Sequence, residues 1–126
     1  MNAMRAAIRQ SALAPAVITA ETGEQSYCFA PSFLGFSGHF PDYPILPAIL
    51  QVVMAQLLAE ETIGEPLQFL QVERAKFTRQ LRPDEQIDVT LSCKEQAGEL
   101  RCPAKISVGG AAAASFTLLL RRGDFV

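Results

Sequence analysis

Apolar and polar positions change period several times along this chain, and the changes mark out one interior helix in a β framework. Residues 17–19 and 25–29 are short and β-prone, with Thr22-Gly23-Glu24 between them as turn chemistry, so a first hairpin is predicted. Residues 31–47 hold Pro31, Pro41, Pro44 and Pro47 beside Phe33, Phe36, Phe40, Tyr43, Ile45 and Leu46. That mixture predicts an ordered loop packed on the core, a good place for a site. Pro47 opens residues 48–61, which read as a helix of about four turns, because proline is tolerated where no intrahelical partner awaits its nitrogen. Only Gln51, Gln56, Glu60 and Glu61 interrupt its apolar surface, which predicts a helix enclosed by protein, ended by Gly64 and Pro66.

Beyond the helix the pattern turns strand-like. Residues 69–81 predict a strand, Pro83-Asp84-Glu85 a turn, and Ile87, Val89, Leu91 and Cys93 alternate with Asp88, Thr90 and Ser92 as a half-buried strand. Ala97-Gly98-Glu99 turns the chain into a strand with Leu100, Cys102, Ala104, Ile106 and Val108 on one face, where Pro103 predicts an edge position or a bulge. Gly109-Gly110 is the next turn. Alanines 111–114 lead into a last strand over 115–121, their small side chains suited to close approach of another layer. One buried helix with a long antiparallel meander is an α+β plan.

Composition narrows the function. With 126 residues and 49% hydrophobic content, one compact domain over 1–126 is expected. A net charge of -2 provides no basic field for nucleic acid or an anionic membrane. Cys28, Cys93 and Cys102 are scattered, and with one histidine they match no zinc pattern, so free thiols in a reducing cytoplasm are expected. Arg5 and Arg9 precede the apolar stretch 12–20, but Pro15 interrupts it and no signal peptide is read. No apolar run reaches the roughly 18 residues of a spanning helix. No metal or redox cofactor is indicated.

The most specific feature is Gly38-His39-Phe40-Pro41-Asp42-Tyr43-Pro44-Ile45-Leu46-Pro47-Ala48-Ile49-Leu50, followed by Met54-Ala55-Gln56 and later by Ala75-Lys76-Phe77-Thr78-Arg79 with Pro83 and Gln86. These residues resemble the β-hydroxyacyl-ACP dehydratases of fatty-acid synthesis, over roughly residues 33–91. The resemblance implies a hot-dog fold, a curved antiparallel sheet around one long helix. It also implies a dimer whose sites lie at the interface, the histidine of one subunit meeting the helix acid of the other.

Dehydrating a 3-hydroxyacyl thioester requires a base at the α-carbon, hydrogen-bond donors on the thioester oxygen and an acid for the departing hydroxyl. The resemblance gives the first task to His39, whose imidazole titrates near neutral pH. It gives the second to the backbone N–H of Ala48 at the helix start, where the family usually has glycine. Gly38, Phe40, Val53 and Gln56 complete the substrate-binding set. The helix acid is missing: fourteen residues after His39 stands Val53, and four before Gln56 stands Val52. Glu60 lies two turns beyond Val53, about 10 Å along the axis. Asp42 and Glu73 are the other carboxylate candidates, and Gln56 offers a neutral donor in place of an acid. For Val52 and Val53 the plain reading is core packing, and for Gln51 and Gln56 it is satisfaction of polar groups near a dimer seam. Arg74, Lys76, Arg79 and Arg82 read as a solvated strand face, with Arg79 and Arg82 the candidates for docking an acidic carrier protein.

Three functions follow. The first is a dehydratase acting on acyl carrier protein or coenzyme A thioesters. The second is a non-catalytic carrier-binding or partner subunit, in a homodimer or paired with a second hot-dog chain that bears the acid. The third is an acyl thioesterase, which needs a pocket carboxylate that the helix start does not supply.

Overall fold

The computed structural model describes residues 3–36 and 44–123. In chain order these form α1 (Ala3–Gln10), β1 (Val17–Thr19), β2 (Thr22–Cys28), a 3-10 turn (Leu34–Phe36), α2 (Ala48–Ile63), β3 (Leu67–Phe77), β4 (Gln86–Ser92), β5 (Lys94–Gln96), β6 (Glu99–Val108) and β7 (Ala111–Arg122). All strand pairs are antiparallel in one sheet ordered β1-β2-β4-β6-β7-β3, with β5 beside β6. The α+β plan read from the sequence is the architecture observed.

Helix α2 packs on β2, β3 and β4. From Gln51 to Ala59 it is buried at every position but Val53, which is partly buried against the core. Met54, Ala55, Leu58 and Ala59 are fully covered, and shortening one of the large ones, Leu58→Ala, would cost about 2–5 kcal/mol in lost burial and cavity. Its first turn is different, since Ile49 remains 66% exposed. The enclosure predicted for the whole helix therefore holds only past the first turn in a single chain. The helix runs two residues beyond the predicted end, and Gly64 stops it in the left-handed conformation (φ 86°), its N–H donating to Glu60 O at 2.8 Å.

Several local expectations are corrected. Thr22, Gly23 and Glu24 lie inside β2, and the turn is Ala20-Glu21, with Thr19 opposite Thr22. Gly23 is required for close approach and not for turning, because a Cβ there would run into Thr62 Oγ1 on α2. β3 ends at Phe77, where the Thr78 and Arg79 N–H groups both turn to Ala113 O. Alanines 111–114 belong to β7 itself. Pro103 sits neither on an edge nor in a bulge: β6 is interior, and its register with β4 and β5 is the same on either side of Pro103. The bulges fall elsewhere, at Ala113 on β7 opposite Ile106/Ser107 and at two places in β3. Gly109 and Gly110, both at positive φ, make the tight hairpin turn from β6 to β7 as expected.

Helix α1 was not foreseen. Its apolar stripe is Met4, Ala7 and Ile8, of which Ile8 is fully buried, and its cationic side holds α2: Arg5 Nη1 lies 3.0 Å and Arg9 Nη2 3.8 Å from Glu60 Oε1. Glu60 Oε2 also accepts the Leu67 N–H at 3.1 Å, so one carboxylate joins α1, α2 and the start of β3.

Candidate active site at the start of the central helix

Pro47 caps α2 with extended backbone (φ -62°, ψ 151°) and without a side-chain acceptor. Its carbonyl receives the N–H groups of Leu50 and Gln51 at 3.0 and 3.2 Å. The N–H of Ala48 has no acceptor among the described residues, so the positive end of the helix dipole and an open donor point out of the first turn. Beside them opens a cleft of about 320 Å³, lined by Leu46, Pro47, Ala48, Gln51, Phe77 and Thr78 among others. A larger groove of about 910 Å³ crosses the outer sheet face past Thr90, Lys105 and Ser115. It contains no helix terminus and no unpartnered buried polar atom, and the smaller cleft is therefore the candidate site.

The cleft is built by a short relay of backbone bonds. Leu46 N–H donates to Leu81 O at 2.8 Å, and Gln51 Nε2 donates to Leu46 O at 3.2 Å, so the segment entering the helix is held from both sides. Gln51 is 4% exposed, and its Oε1 has no partner; among the described residues only Gln68 Oε1 shares that state. An amide flip does not cure this, because it would set Oε1 against the Leu46 carbonyl oxygen. The sequence marked Gln51 as a polar interruption but carried no sign of the unpaired oxygen, which depends on the surrounding fold.

Other candidates fall into place as follows. His39, Gly38, Phe40 and Asp42 lie outside the described residues. Val52 is buried and Val53 partly buried, both as packing. Gln56 is buried, and its Nε2 donates to Leu67 O at 3.1 Å, which ties the helix to β3. Glu60 is held by Arg5, Arg9 and the Leu67 N–H, and Glu73 by Arg101 at 2.8 Å and Gln71 at 2.8 Å. Each has a structural task that a catalytic acid would have to abandon. Arg79 forms a forked pair with Glu85, at 3.0 and 2.6 Å, and Glu85 also accepts the Arg82 N–H at 2.9 Å. The Arg79 fork holds the Glu85 carboxyl below the ordinary carboxylate range. Arg82 Nε donates to Pro44 O at 3.3 Å. The two arginines thus brace the connection beside the cleft, and Arg79 offers a partner less free charge than its sequence position suggested.

Residues 16–115 match the family model described as ApeI-like, ApeI dehydratase. The chain belongs to the ApeI-like dehydratase family. Its curated relatives include the 3-hydroxyacyl-[acyl-carrier-protein] dehydratase FabZ of Streptococcus suis, 34% identical over 96 residues that cover 70% of this chain and 69% of that one. FabZ of Bacillus cereus is 31% identical over 97 residues, 71% and 67% of the two chains. Among solved structures, the dehydratase heterocomplex ApeI:P from Xenorhabdus doucetiae matches with a TM-score of 0.71 at 21% identity, over 82% of this chain and 90% of that one. A hypothetical thioesterase with coenzyme A from Streptococcus pneumoniae matches at 0.72 and 7% identity, over 95% and 94%. The likenesses to solved structures carry the fold alone, and that fold is the hot-dog fold the motif implied. No described helix is long and apolar enough to cross a membrane, and no group of metal-ligating side chains gathers among the described residues.

Proposed function

We propose that this chain dehydrates 3-hydroxyacyl thioesters carried on acyl carrier protein or coenzyme A, with His39 as the base. The observation that carries the reading is the uncapped first turn of α2, its Ala48 N–H beside a cleft and without an acceptor among the described residues, in a chain of a dehydratase family. His39 removes the α-proton, the Ala48 N–H takes the charge that grows on the thioester oxygen, and the C–O bond breaks as the double bond forms. The hydroxide departs with one proton, as water. Gly38 and Phe40 are assigned to substrate binding on the strength of the motif alone, and exposed Ile49 gives the acyl chain an apolar surface at the helix start.

The proton for the departing hydroxide decides between two assemblies. β3 is an edge strand with Phe69 and Phe77 each 42% exposed and Val72 also uncovered, whereas the opposite edge, β1, is only three residues long. An apolar edge of this kind calls for another strand, and we assign it to a second hot-dog chain. In a homodimer the proton comes back from the imidazolium of His39. In a heterodimer it comes from a carboxylate of the partner. The second reading is favoured by Val52 and Val53, which leave both registers of the helix without an acid, and by the prior engagement of Glu60 and Glu73.

The test is mass-spectrometric detection of water loss from 3-hydroxyacyl carrier protein by the purified chain, alongside His39→Ala and Val53→Glu. Water loss by the parent that disappears in His39→Ala supports the homodimeric enzyme. An inert parent restored by Val53→Glu supports the partner-dependent subunit. A parent whose activity survives His39→Ala overturns the assignment of the base.

A further inference from the structure

Cys93 and Cys102 were scattered thiols in the sequence, and the fold sets them against each other with Sγ atoms 3.1 Å apart. Both are buried, at 2% and 0% exposure. Leu91 lies opposite Ala104 and Lys94 opposite Arg101, so the same register carried across the gap places Cys93 directly opposite Cys102. Cys93 N–H donates away from β6, to Glu21 O at 2.9 Å. Alternation then makes Cys93/Cys102 a non-hydrogen-bonded pair, the class in which facing Cα atoms come closest, about 4.5 Å, within the span of a disulfide. The adjacent Ser92/Pro103 pair is of the hydrogen-bonded class, and Pro103 has no N–H to give it. One ladder bond is therefore missing beside the thiols, which leaves the strands room for the small shift that separates a thiol contact from a bond.

We propose that Cys93 and Cys102 are a modification site: a dithiol that a low-molecular-weight disulfide converts to a cross-strand disulfide. Cys102 S–H donates to Cys93 Sγ, which holds the Cys93 thiol below its ordinary range and the Cys102 thiol above it. The pair thus has an attacking and a resolving member. Cys93 thiolate attacks one sulfur of the small disulfide and releases the first thiolate. Cys102 then loses its proton, attacks Cys93 Sγ and releases the second, so the protein loses two hydrogens and the small disulfide is reduced to two thiols. Access comes by opening of the β5–β6 hairpin, since β5 is only three residues long, exposed throughout, and joined through Ala97 at a positive φ of 52°. Cys28 provides an internal control. It faces Gln86 on β4, seven positions and hence roughly 23 Å along the strand from Cys93.

The experiment exposes the native full chain to oxidised glutathione, removes it, denatures the protein and alkylates it with iodoacetamide before peptide mass spectrometry. The expected result is a single alkylated cysteine, Cys28, with a linked peptide pair containing Cys93 and Cys102. The same pair is expected in Cys28→Ser. All three cysteines alkylated would overturn the proposal, and so would glutathione left attached to Cys93, because the resolving thiol would then have failed to reach it.

Discussion

Gln51 donates to the carbonyl of Leu46 across 3.2 Å, from the first turn of α2 back to the segment that delivers the chain into it. The same side chain holds an Oε1 with no partner among the described residues. In Gln51→Leu the Leu46 carbonyl loses its donor at a cost of about 1–2 kcal/mol, but a desolvated amide oxygen disappears with it. The two effects oppose, so unfolding in urea should shift by less than about 1 kcal/mol. Water loss from the thioester should nevertheless fall by at least roughly tenfold, because Gln51 holds the segment that leads into Ala48, whose N–H is proposed to bind the thioester oxygen, and about 1 Å of misplacement there is that expensive. A stable variant with undiminished turnover would remove Gln51 from the site.

Glu60 is the junction of α1, α2 and β3, and its side chain is mostly buried. Glu60→Gln keeps a hydrogen-bond acceptor for the Leu67 N–H but gives up both ion pairs, and should cost about 1–2 kcal/mol in a urea titration. Glu60→Ala strands that N–H as well and should cost about 2–4 kcal/mol. Neither change should alter the base, which is the reason to measure turnover of the folded fraction. If Glu60→Gln is folded and inactive, the glutamate is serving the chemistry and the partner-supplied proton is unnecessary.

The parts of this fold that the sequence displayed are those with local causes. Pro47 and Gly64 bracket α2, the Gly109-Gly110 pair makes its turn, and Ile87, Val89 and Leu91 alternate into the core because each signal is spelled by neighbours along the chain. What stayed hidden depends on residues far apart. α1 is eight residues long and is held by Glu60, some 50 positions away; Gly23 looked like a turn residue because Thr62 was not in view. The site divides in the same way. The histidine motif and the absence of an acid were legible as spacing, whereas the open oxygen of Gln51, the engagement of Arg79 by Glu85 and the meeting of Cys93 with Cys102 exist only once the strands are paired.

The β5–β6 turn carries a simple stability prediction. Gln96 faces Glu99 across Ala97 and Gly98, which have φ of 52° and 82°, a two-residue turn that needs positive φ at both positions. Alanine is poorly suited to the first of them. Ala97→Asn should raise stability by about 0.5–1 kcal/mol, read as a higher urea midpoint with an unchanged slope. A neutral or destabilising result would mean that the hairpin is open often enough for its turn geometry not to matter.

Glu85 gives the connection beside the cleft a pH dependence of known sign. The Arg79 fork is the main cause that lowers its pKa from the ordinary value near 4.5, while partial burial works against it and the Arg82 N–H adds to it. A carboxyl depressed on folding contributes stability that is fully present above its unfolded pKa and is lost as pH falls through its folded one. The contribution should therefore be constant above pH 5 and decline below about 4.5. Glu85→Gln keeps an acceptor for the Arg82 N–H but removes the charge that titrates. Compared by thermal unfolding, the parent should be more stable than the variant from pH 5 upward, and the gap should close toward pH 3. Because solvent reaches Arg79 and screens the pair, the gap should be less than about 3 °C and should shrink in high salt. A gap that widens as the pH falls has the opposite sign and would show that Glu85 is protonated more readily when folded, contrary to its place between the two arginines.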